Sequence, residues 1–357
     1  MRPIVSKFGG SSTASAERFR QILSIVRQSH ARRCVVLSAP GADEAHAIKV
    51  TSLLDRCWQQ RKAPHRLEGT VAEVVDRFGG IAGDLSAFDI RPLCAEEIGR
   101  ALYISRDHTL SRGEYLCAAL FSAWSGFEAL DAAKVVAFDA AGRLDEGRTL
   151  NLIREATRDA AGPVVLPGFY GADPSGRIVT FPRNGSDITG ALAAAAMEAG
   201  LYENWTDVPG LMTADPAVVP GARLIRQISY RQMRRLARAG ARVLHPACLD
   251  PVAQAGIPTR LRCTGDPGSF GTLIDDHCVE VVPCLVGCKN AEPPRGCEEK
   301  RPLCCVTAFG LRAGDVRRAA RRVSPVALSP GRDCTSVYAL RADYGEALRM
   351  LHRALLE

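Results

Sequence analysis

The amino-terminal segment constrains the fold of this chain more than any other stretch. Residues 4–5 are apolar and β-branched, which favours a short buried strand. Lys7 follows, and Gly9 and Gly10 then allow a tight turn whose backbone N–H groups can approach an anion. A helical pattern begins at Ala16, and the amino end of a helix adds partial positive charge. The segment predicts a phosphate-binding turn between a strand and a helix, although the same glycines also suit a plain connection.

The bulk composition is typical of a globular enzyme and excludes several other classes. The 357 residues are 46% apolar and 24% charged, and they suffice for one large and one small domain. The formal net charge of +7 is carried by scattered arginines without an aromatic stripe, so a nucleic-acid partner is not expected. Because there is no apolar run of about 18 residues and no signal-peptide core, the sequence predicts a cytoplasmic protein without a membrane partner.

Thirteen cysteines are many for a cytoplasmic protein, and they are unevenly placed. Six of them fall between residues 278 and 305, where no C-x-x-C pair occurs and the spacing matches no zinc module. The odd total argues against a complete set of disulfides. Free thiols are therefore expected, and no metal site is assigned.

Strands alternate with helices as far as residue 274. This alternation predicts a mainly parallel sheet covered on both faces, a three-layer αβα sandwich. The composition then changes, since 275–302 is rich in cysteine, proline and charge and is interpreted as a connector. From residue 303 the pattern is βαββα, one strand short of a ferredoxin-like α+β unit. The predicted domains are thus 1–274, 275–302 and 303–357.

Serine and glycine positions indicate where several elements begin or break. Ser111 is predicted to cap a helix whose first turn carries Glu114. The Gly79-Gly80 pair is expected to interrupt a helical region between residues 60 and 100. Residues 135–138 are apolar and are predicted to form a strand.

Three later stretches carry side chains suited to binding an amino acid or a phosphate. Glu114 could hold an ammonium group, although it would also complement a helix dipole. Arg183 offers a planar fork for a carboxylate or phosphate, before a helix that Ser186 or Asp187 would cap in the plainest interpretation. Residues 203–216 are interpreted as a strand end and turn at the carboxyl edge of a sheet, where α/β proteins bind ligands.

Six spaced motifs, taken in order, resemble those of the aspartate kinases of the amino acid kinase superfamily. They are K-F-G-G-S-S, S-R-G-E, R-x-G-S-D, W-T-D-V-x-G, T-A-D-P and V-L-H-P. The likeness runs from residue 1 to about 274, and from 281 to the end the chain is loosely similar to that family's regulatory ACT region. Aspartate kinases usually carry two ACT units, whereas this chain has room for about one truncated unit, so a homodimer at most is expected.

The resemblance implies ATP-dependent phosphorylation of the side-chain carboxylate of L-aspartate to 4-phospho-L-aspartate, with Mg²⁺ bridging the nucleotide phosphates. The implied catalytic residues are Lys7, which would contact the transferred phosphoryl group, and Asp187, which would organise Lys7. Glu114 would bind the α-ammonium group and Arg183 the α-carboxylate. The implied substrate-binding residues are Ser38, Thr51, Glu114, Arg183 and Ser186. The implied nucleotide- or phosphate-binding residues are Gly9, Gly10, Ser11, Thr206, Asp207, Asp215 and Arg242.

The sequence departs from the family pattern mainly around the nucleotide. Ala217 replaces the arginine of T-x-D-P-R, Met212 stands where many members have a tyrosine, and Arg242 replaces a frequent lysine. Asn184 must adopt a conformation that a glycine normally adopts. Two alternatives therefore stay open: the same chemistry on another amino-acid carboxylate in a specialised pathway, or a non-catalytic regulatory subunit that binds an amino acid or a nucleotide.

Overall fold

The computed structural model describes residues 2–182, 184–241, 244, 246–278 and 280–357. The chain divides into two compact units. The first comprises Met1–Val208 and Ala247–Ser269, and the second comprises Pro209–Pro246 and Phe270–Glu357. The bounds of these two units differ from the domain boundaries expected from the sequence. The expected boundaries therefore stay a prediction.

Strands and helices alternate along most of the described residues. The strands are β1 (Ile4–Phe8), β2 (Arg32–Leu37), β3 (Glu128–Ala129), β4 (Val164–Pro167), β5 (Tyr170–Ala172), β6 (Ile178–Thr180), β7 (Leu201–Thr206), β8 (Gln227–Ile228), β9 (Thr259–Cys263), β10 (Thr272–Ile274), β11 (Cys284–Ala291), β12 (Leu303–Phe309), β13 (Ala327–Gly331) and β14 (Cys334–Leu340). The helices are α1 (Ala16–Arg27), α2 (Val50–Gln60), α3 (Pro64–Asp84), α4 (Arg91–Leu102), α5 (Arg106–Ser125), α6 (Ala132–Val135), α7 (Glu146–Arg158), α8 (Gly185–Ala196), α9 (Tyr230–Arg238), α10 (Pro246–Gln254), α11 (Ala313–Ala320) and α12 (Tyr344–Leu355). None of the helices in the described part of the chain combines the length and apolar character that crossing a bilayer requires.

The first unit is built on a sheet of parallel strands. Six of them follow one another in the order β3-β4-β2-β1-β7-β9, and all five neighbouring pairs are parallel. Helices α1, α5 and α8 contact strands of this sheet. The mainly parallel α/β sheet expected from the sequence is therefore confirmed.

A buried carboxylate clamps the central strands of this sheet together. Glu203 on β7 accepts hydrogen bonds from Ser6 on β1 at 2.8 Å and from the Arg32 guanidinium on β2 at 2.8 and 2.9 Å. Arg262 on β9 adds an ion pair at 3.2 Å. Burial alone would raise the pKa of Glu203, but the hydrogen bonds and charge of Arg32 hold it below its ordinary value. Four adjacent strands are thus locked in register.

Two local predictions in the helical part of the first unit were wrong. Helix α5 begins at Arg106 rather than at Ser111, because Ser105 is the residue whose side chain caps it, by accepting from the His108 amide at 3.1 Å. Ser111 therefore lies inside the helix. Helix α3 runs without a break through Gly79, where the Arg91 side chain packs so closely that a Cβ would lie 2.5 Å from its Nε.

The strand expected over residues 135–138 is also absent from the structure, where a short helix ends at Val135. Asp131 caps this helix α6 by accepting from the Ala133 amide at 3.0 Å. The apolar residues that follow it make isolated bridges, such as the one between Ala137 and Ala172. The helix thus takes only the first residue of the expected strand, and the extended residues after it pair through single bridges instead of a continuous ladder.

The second unit contains a small antiparallel sheet with the strand order β11-β12-β14-β13. Helices α11 and α12 pack against it through a buried cluster that includes Val306, Val337 and Leu348. Strand β11 lies within the segment interpreted as an irregular connector, and that interpretation was wrong for 284–291. The sheet consequently has four strands, and the expected βαββα pattern is preceded by one strand that the sequence analysis missed.

Candidate active site

A buried ion pair occupies the centre of the candidate site. The ammonium nitrogen of Lys7 lies 2.6 Å from Oδ1 of Asp187, and both side chains are almost fully buried. Asn204 donates from Nδ2 to the same carboxylate oxygen at 2.9 Å. The register of β1 and β7 explains this meeting, because Lys7 and Asn204 are direct partners on neighbouring strands. Asn204 carries no assigned role in the sequence analysis, and only the strand register identifies it.

The start of helix α8 positions Asp187 over these two strands. Asn184 has φ 63° and ψ 29°, the left-handed conformation that was expected there. The Asp187 amide donates to the Asn184 carbonyl at 3.0 Å, and the hydroxyl of Tyr202 donates to the Asp187 carbonyl at 3.1 Å. The carboxylate is therefore fixed through both its backbone and its side chain.

The glycine turn follows directly from the strand that carries Lys7. The Gly9 amide donates to the Trp205 carbonyl at 3.0 Å, and a Cβ on Gly9 would lie 3.5 Å from the Lys7 ammonium nitrogen. Gly41 approaches the turn so closely that a Cβ there would lie 2.6 Å from the Gly10 carbonyl carbon. Ser11 lies in the same turn and is partly exposed. The lack of side chains at Gly9 and Gly41 thus lets the turn lie close to the Lys7 ammonium group and to the turn that follows β2.

Thr13 is a second residue whose position the sequence analysis did not interpret. Its buried hydroxyl lies 3.1 Å from the carbonyl oxygen of Gly10 and 3.2 Å from those of Ser38 and Ala39. It therefore links the glycine turn to the turn that follows β2. The signal available in the sequence was a hydroxyl residue three positions after Gly10, and the structure shows that this hydroxyl is buried and hydrogen-bonded.

Replacing Thr13 by valine is expected to lower the free energy of unfolding by about 1–2 kcal/mol, because valine keeps the shape but leaves buried carbonyl oxygens without the hydroxyl donor. Urea denaturation followed by tryptophan fluorescence measures this change. Thr13→Ser is the matched control and should recover most of the loss, since it retains the hydroxyl. An unchanged urea midpoint in Thr13→Val would show that the hydroxyl does not brace the two turns.

Glu114 presents a carboxylate with unused hydrogen-bonding capacity. The side chain is buried, and within the described residues its Oε2 atom has no hydrogen-bond partner. Burial raises the pKa of Glu114 to about 8, and backbone hydrogen bonds from Ala39 and from Glu114 itself only partly offset this effect. Gly113 allows the close packing of α5, since a Cβ there would lie 2.8 Å from the Ala39 Cβ. A cationic group would restore the charge of this carboxylate and fill its vacant acceptor.

The remaining residues assigned to the amino-acid substrate lie in different settings. Ser38 is half-buried, and its amide donates to the Phe8 carbonyl at 3.1 Å. Thr51 is the second residue of α2 and is also half-buried. Ser186 is buried in the first turn of α8, one residue before Asp187. Arg183 lies outside the described residues, so its assignment stays a prediction.

The described residues assigned to the nucleotide make side-chain hydrogen bonds mainly to their neighbours in sequence. Thr206 ends strand β7, and its hydroxyl donates to Oδ1 of the exposed Asp207 at 3.1 Å. Asp215 belongs to the second unit, where its carboxylate accepts from the Ala217 amide at 3.0 Å. Arg242 lies outside the described residues. The roles of these residues therefore stay predictions.

Comparisons with known proteins agree with the motifs. The model of the amino acid kinase family matches residues 2–263. Aspartokinase 3 of Bacillus subtilis is 35% identical over 291 residues, which cover 76% of this chain and 63% of the relative. The chain thus spans less than two thirds of the length of that relative.

Solved structures support the same assignment. The aspartate kinase of Clostridium acetobutylicum superposes with a TM-score of 0.86 at 26% identity, over 98% of this chain and 99% of that one. Aspartokinase III of Escherichia coli, solved with aspartate and ADP, has the same fold with a TM-score of 0.81 at 23% identity, over 99% of this chain and 100% of that one. The resemblance to the aspartate kinases is confirmed, and because the family model matches well over half of its length, this chain belongs to the amino acid kinase family.

Proposed function

We propose that this protein transfers the γ-phosphoryl group of ATP to the side-chain carboxylate of L-aspartate, giving 4-phospho-L-aspartate and ADP. The similarity to aspartokinases supports the reaction class. The observation that carries the proposal is the buried Glu114 carboxylate, whose Oε2 atom has no partner within the described residues. A buried acceptor of this kind is costly unless a ligand uses it, and the α-ammonium group of an amino acid would do so.

The transfer step depends on the cation at the glycine turn. Bringing the aspartate carboxylate to the γ-phosphorus places like charges together, and an ammonium group offsets this repulsion in a site that excludes water. Lys7 supplies that charge. The Asp187 carboxylate holds the ammonium group in place, and Asn204 holds the carboxylate by donating to the same oxygen. The carboxylate oxygen forms the new P–O bond as the bond to the ADP oxygen breaks. No general base is required, because a side-chain carboxylate is ionised near pH 7.

The nucleotide would be held chiefly through its phosphates. The Gly9 N–H is used by the Trp205 carbonyl, so Gly9 would contribute room beside Lys7, while the backbone N–H groups of Gly10 and Ser11 would approach the phosphates. Thr206 with Asp207 lies at the end of the neighbouring strand. Within the described residues, no group of three or more His, Cys, Asp or Glu side chains is placed to hold a metal ion. Mg²⁺ would therefore be bound largely by the nucleotide phosphates and water, as this ion commonly is, and would neutralise part of their charge.

The proposal extends to the setting of the enzyme. All thirteen cysteines are free thiols, which suits the reducing cytoplasm. A homodimer is expected from the ACT-like region, and sedimentation of the full chain measures the oligomeric state directly.

Trapping the acyl phosphate tests the reaction. The protein is incubated with ATP, Mg²⁺, hydroxylamine and one amino acid, and the hydroxamate is measured together with ADP. We expect hydroxamate with L-aspartate and none with L-asparagine, which lacks the side-chain carboxylate. Product with a different amino acid alone would favour the same chemistry on another acceptor. Binding of aspartate or ATP by calorimetry without any ADP formation would favour a non-catalytic subunit.

A further inference from the structure

Two cysteines face each other across the edge of the small antiparallel sheet. Cys288 on β11 and Cys305 on β12 are direct partners in the strand register. Residues in such positions have Cβ atoms about 4.5–5.5 Å apart and side chains on the same face. A disulfide requires a Cβ separation of about 3.5–4.5 Å, so a small side-chain and strand adjustment suffices to join them.

The immediate surroundings of the two thiols favour this pair. Cys288 is partly exposed, and its Sγ donates to the Asn290 carbonyl at 3.2 Å. Cys305 is buried, and its Sγ lies 3.6 Å from the Thr307 hydroxyl. Burial raises the pKa of Cys305, and the nearby Cys288 contributes in the same direction. The accessible thiol is therefore on the edge strand, and its partner is held in place behind it.

The neighbouring cysteines are oriented differently. Cys304 precedes Cys305 and so points to the opposite face of β12, where its Sγ lies 3.5 Å from the Ala339 carbonyl oxygen. Cys284 is opposite Phe309 rather than a cysteine. Cys297 belongs to the segment that connects the end of β11 to the start of β12, so it is not part of the strand pairing. The register thus selects one partner for Cys288.

We propose that Cys288 and Cys305 form a reversible disulfide when the protein meets a hydroperoxide. The Cys288 thiolate attacks the peroxide oxygen and becomes a sulfenic acid, releasing water or an alcohol. The Cys305 sulfur then displaces water from the sulfenic sulfur and the S–S bond forms. Two electrons pass from the two thiols to the peroxide. A dithiol reductant reverses the step by thiol–disulfide exchange.

The bond would fasten the edge strand of the small sheet where its pairing becomes irregular. Strand β11 pairs with β12 and its Leu285 amide donates to the Thr213 carbonyl at 2.8 Å, but its register is irregular between Cys288 and Ala291. The disulfide would close the loop formed by 289–304, which removes conformational freedom from the unfolded chain. Oxidation is therefore expected to raise the melting temperature of the full chain by roughly 5 °C, and reduction should reverse the rise.

Peroxide treatment of the reduced full chain tests the proposal. Remaining thiols are alkylated, the protein is digested without reduction, and linked peptides are identified by mass spectrometry. We expect one main link that Cys305→Ser and Cys288→Ser each abolish. Cys304→Ser is the matched control, because it removes the adjacent thiol on the opposite face and should leave the link intact. Cys288→Ser changes a partly exposed position, so it keeps the test valid if Cys305→Ser folds poorly.

Other outcomes would overturn the proposal. A link that survives in Cys305→Ser but is lost in Cys304→Ser would show that Cys304, and not Cys305, is the partner of Cys288. A link from Cys288 to Cys297 would show that the loop, not the strand register, decides the pairing. Sulfinic acid on Cys288 with Cys305 still open to alkylation would show that the two thiols do not meet.

Discussion

Replacing Lys7 by methionine is expected to lower kcat about a thousandfold or more, while KM for aspartate changes much less. The ammonium group offsets the charge that the carboxylate and the phosphoryl group bring together, and methionine fills similar space without charge. The aspartate contacts assigned to Glu114 would remain. Coupled measurement of ADP release at saturating aspartate gives the effect on kcat.

The same substitution also leaves a buried carboxylate unpaired, so loss of stability must be separated from loss of catalysis. Breaking a buried ion pair from one side costs about 3–5 kcal/mol. The double variant Lys7→Met with Asp187→Asn removes both charges, and it is expected to recover most of the melting temperature but none of the activity. Turnover close to the wild-type rate in a folded Lys7→Met protein would refute the proposed role of this cation.

Much of the fold and part of the site could be predicted because the signals are local. The glycine turn, its strand and its helix lie within residues 4–27, and each follows from side chains that are neighbours in sequence. The pairing of Lys7 with Asp187 spans most of the first unit, and it was expected only through the resemblance to a family. Asn204 could not be found at all without the register that places it beside Lys7.

The wrong predictions have a common physical cause. In each case the local sequence favours two structures about equally, and contacts with distant residues decide between them. Ser105 and Ser111 both precede helical residues, and tertiary burial of 109–114 decides in favour of the earlier cap. Strand β11 was not predicted, because cysteine and glycine in 284–291 weaken the alternation of apolar and polar residues that indicates a strand. Pairing with β12, a long-range contact, supplies the stability that the local sequence lacks.

Glu114→Gln is expected to raise KM for aspartate at least a hundredfold and, at the same time, to stabilise the protein near neutral pH. The amide keeps the shape of the carboxyl group but cannot pair with an α-ammonium group as an anion does. It also carries no charge to bury, whereas the buried carboxyl group of Glu114 has a pKa of about 8. Function and stability should therefore move in opposite directions in one variant.

The pH dependence of stability gives this prediction a sign. Below the ordinary pKa of 4.5 the carboxyl group is neutral in both the folded and the unfolded state, so it causes no penalty. Between 4.5 and about 8 the unfolded chain is ionised while the folded protein retains the proton, so the stability of the wild type falls as pH rises. At pH 7 the penalty is about 3 kcal/mol, and it becomes constant above the folded pKa. Urea titrations at pH 5 and pH 8 should show a much larger advantage of Glu114→Gln at the higher pH.

The affinity for aspartate should depend on pH through the same protonation of Glu114. The incoming ammonium group favours the ionised carboxylate, so binding below about pH 8 releases a proton and the affinity rises up to tenfold per pH unit. Calorimetry in buffers of different ionisation enthalpy measures this proton release directly. If the wild type and Glu114→Gln released equal numbers of protons, the ammonium group would have to bind elsewhere. A pH-independent difference in stability between the two proteins would likewise show that Glu114 is not protonated in the folded state.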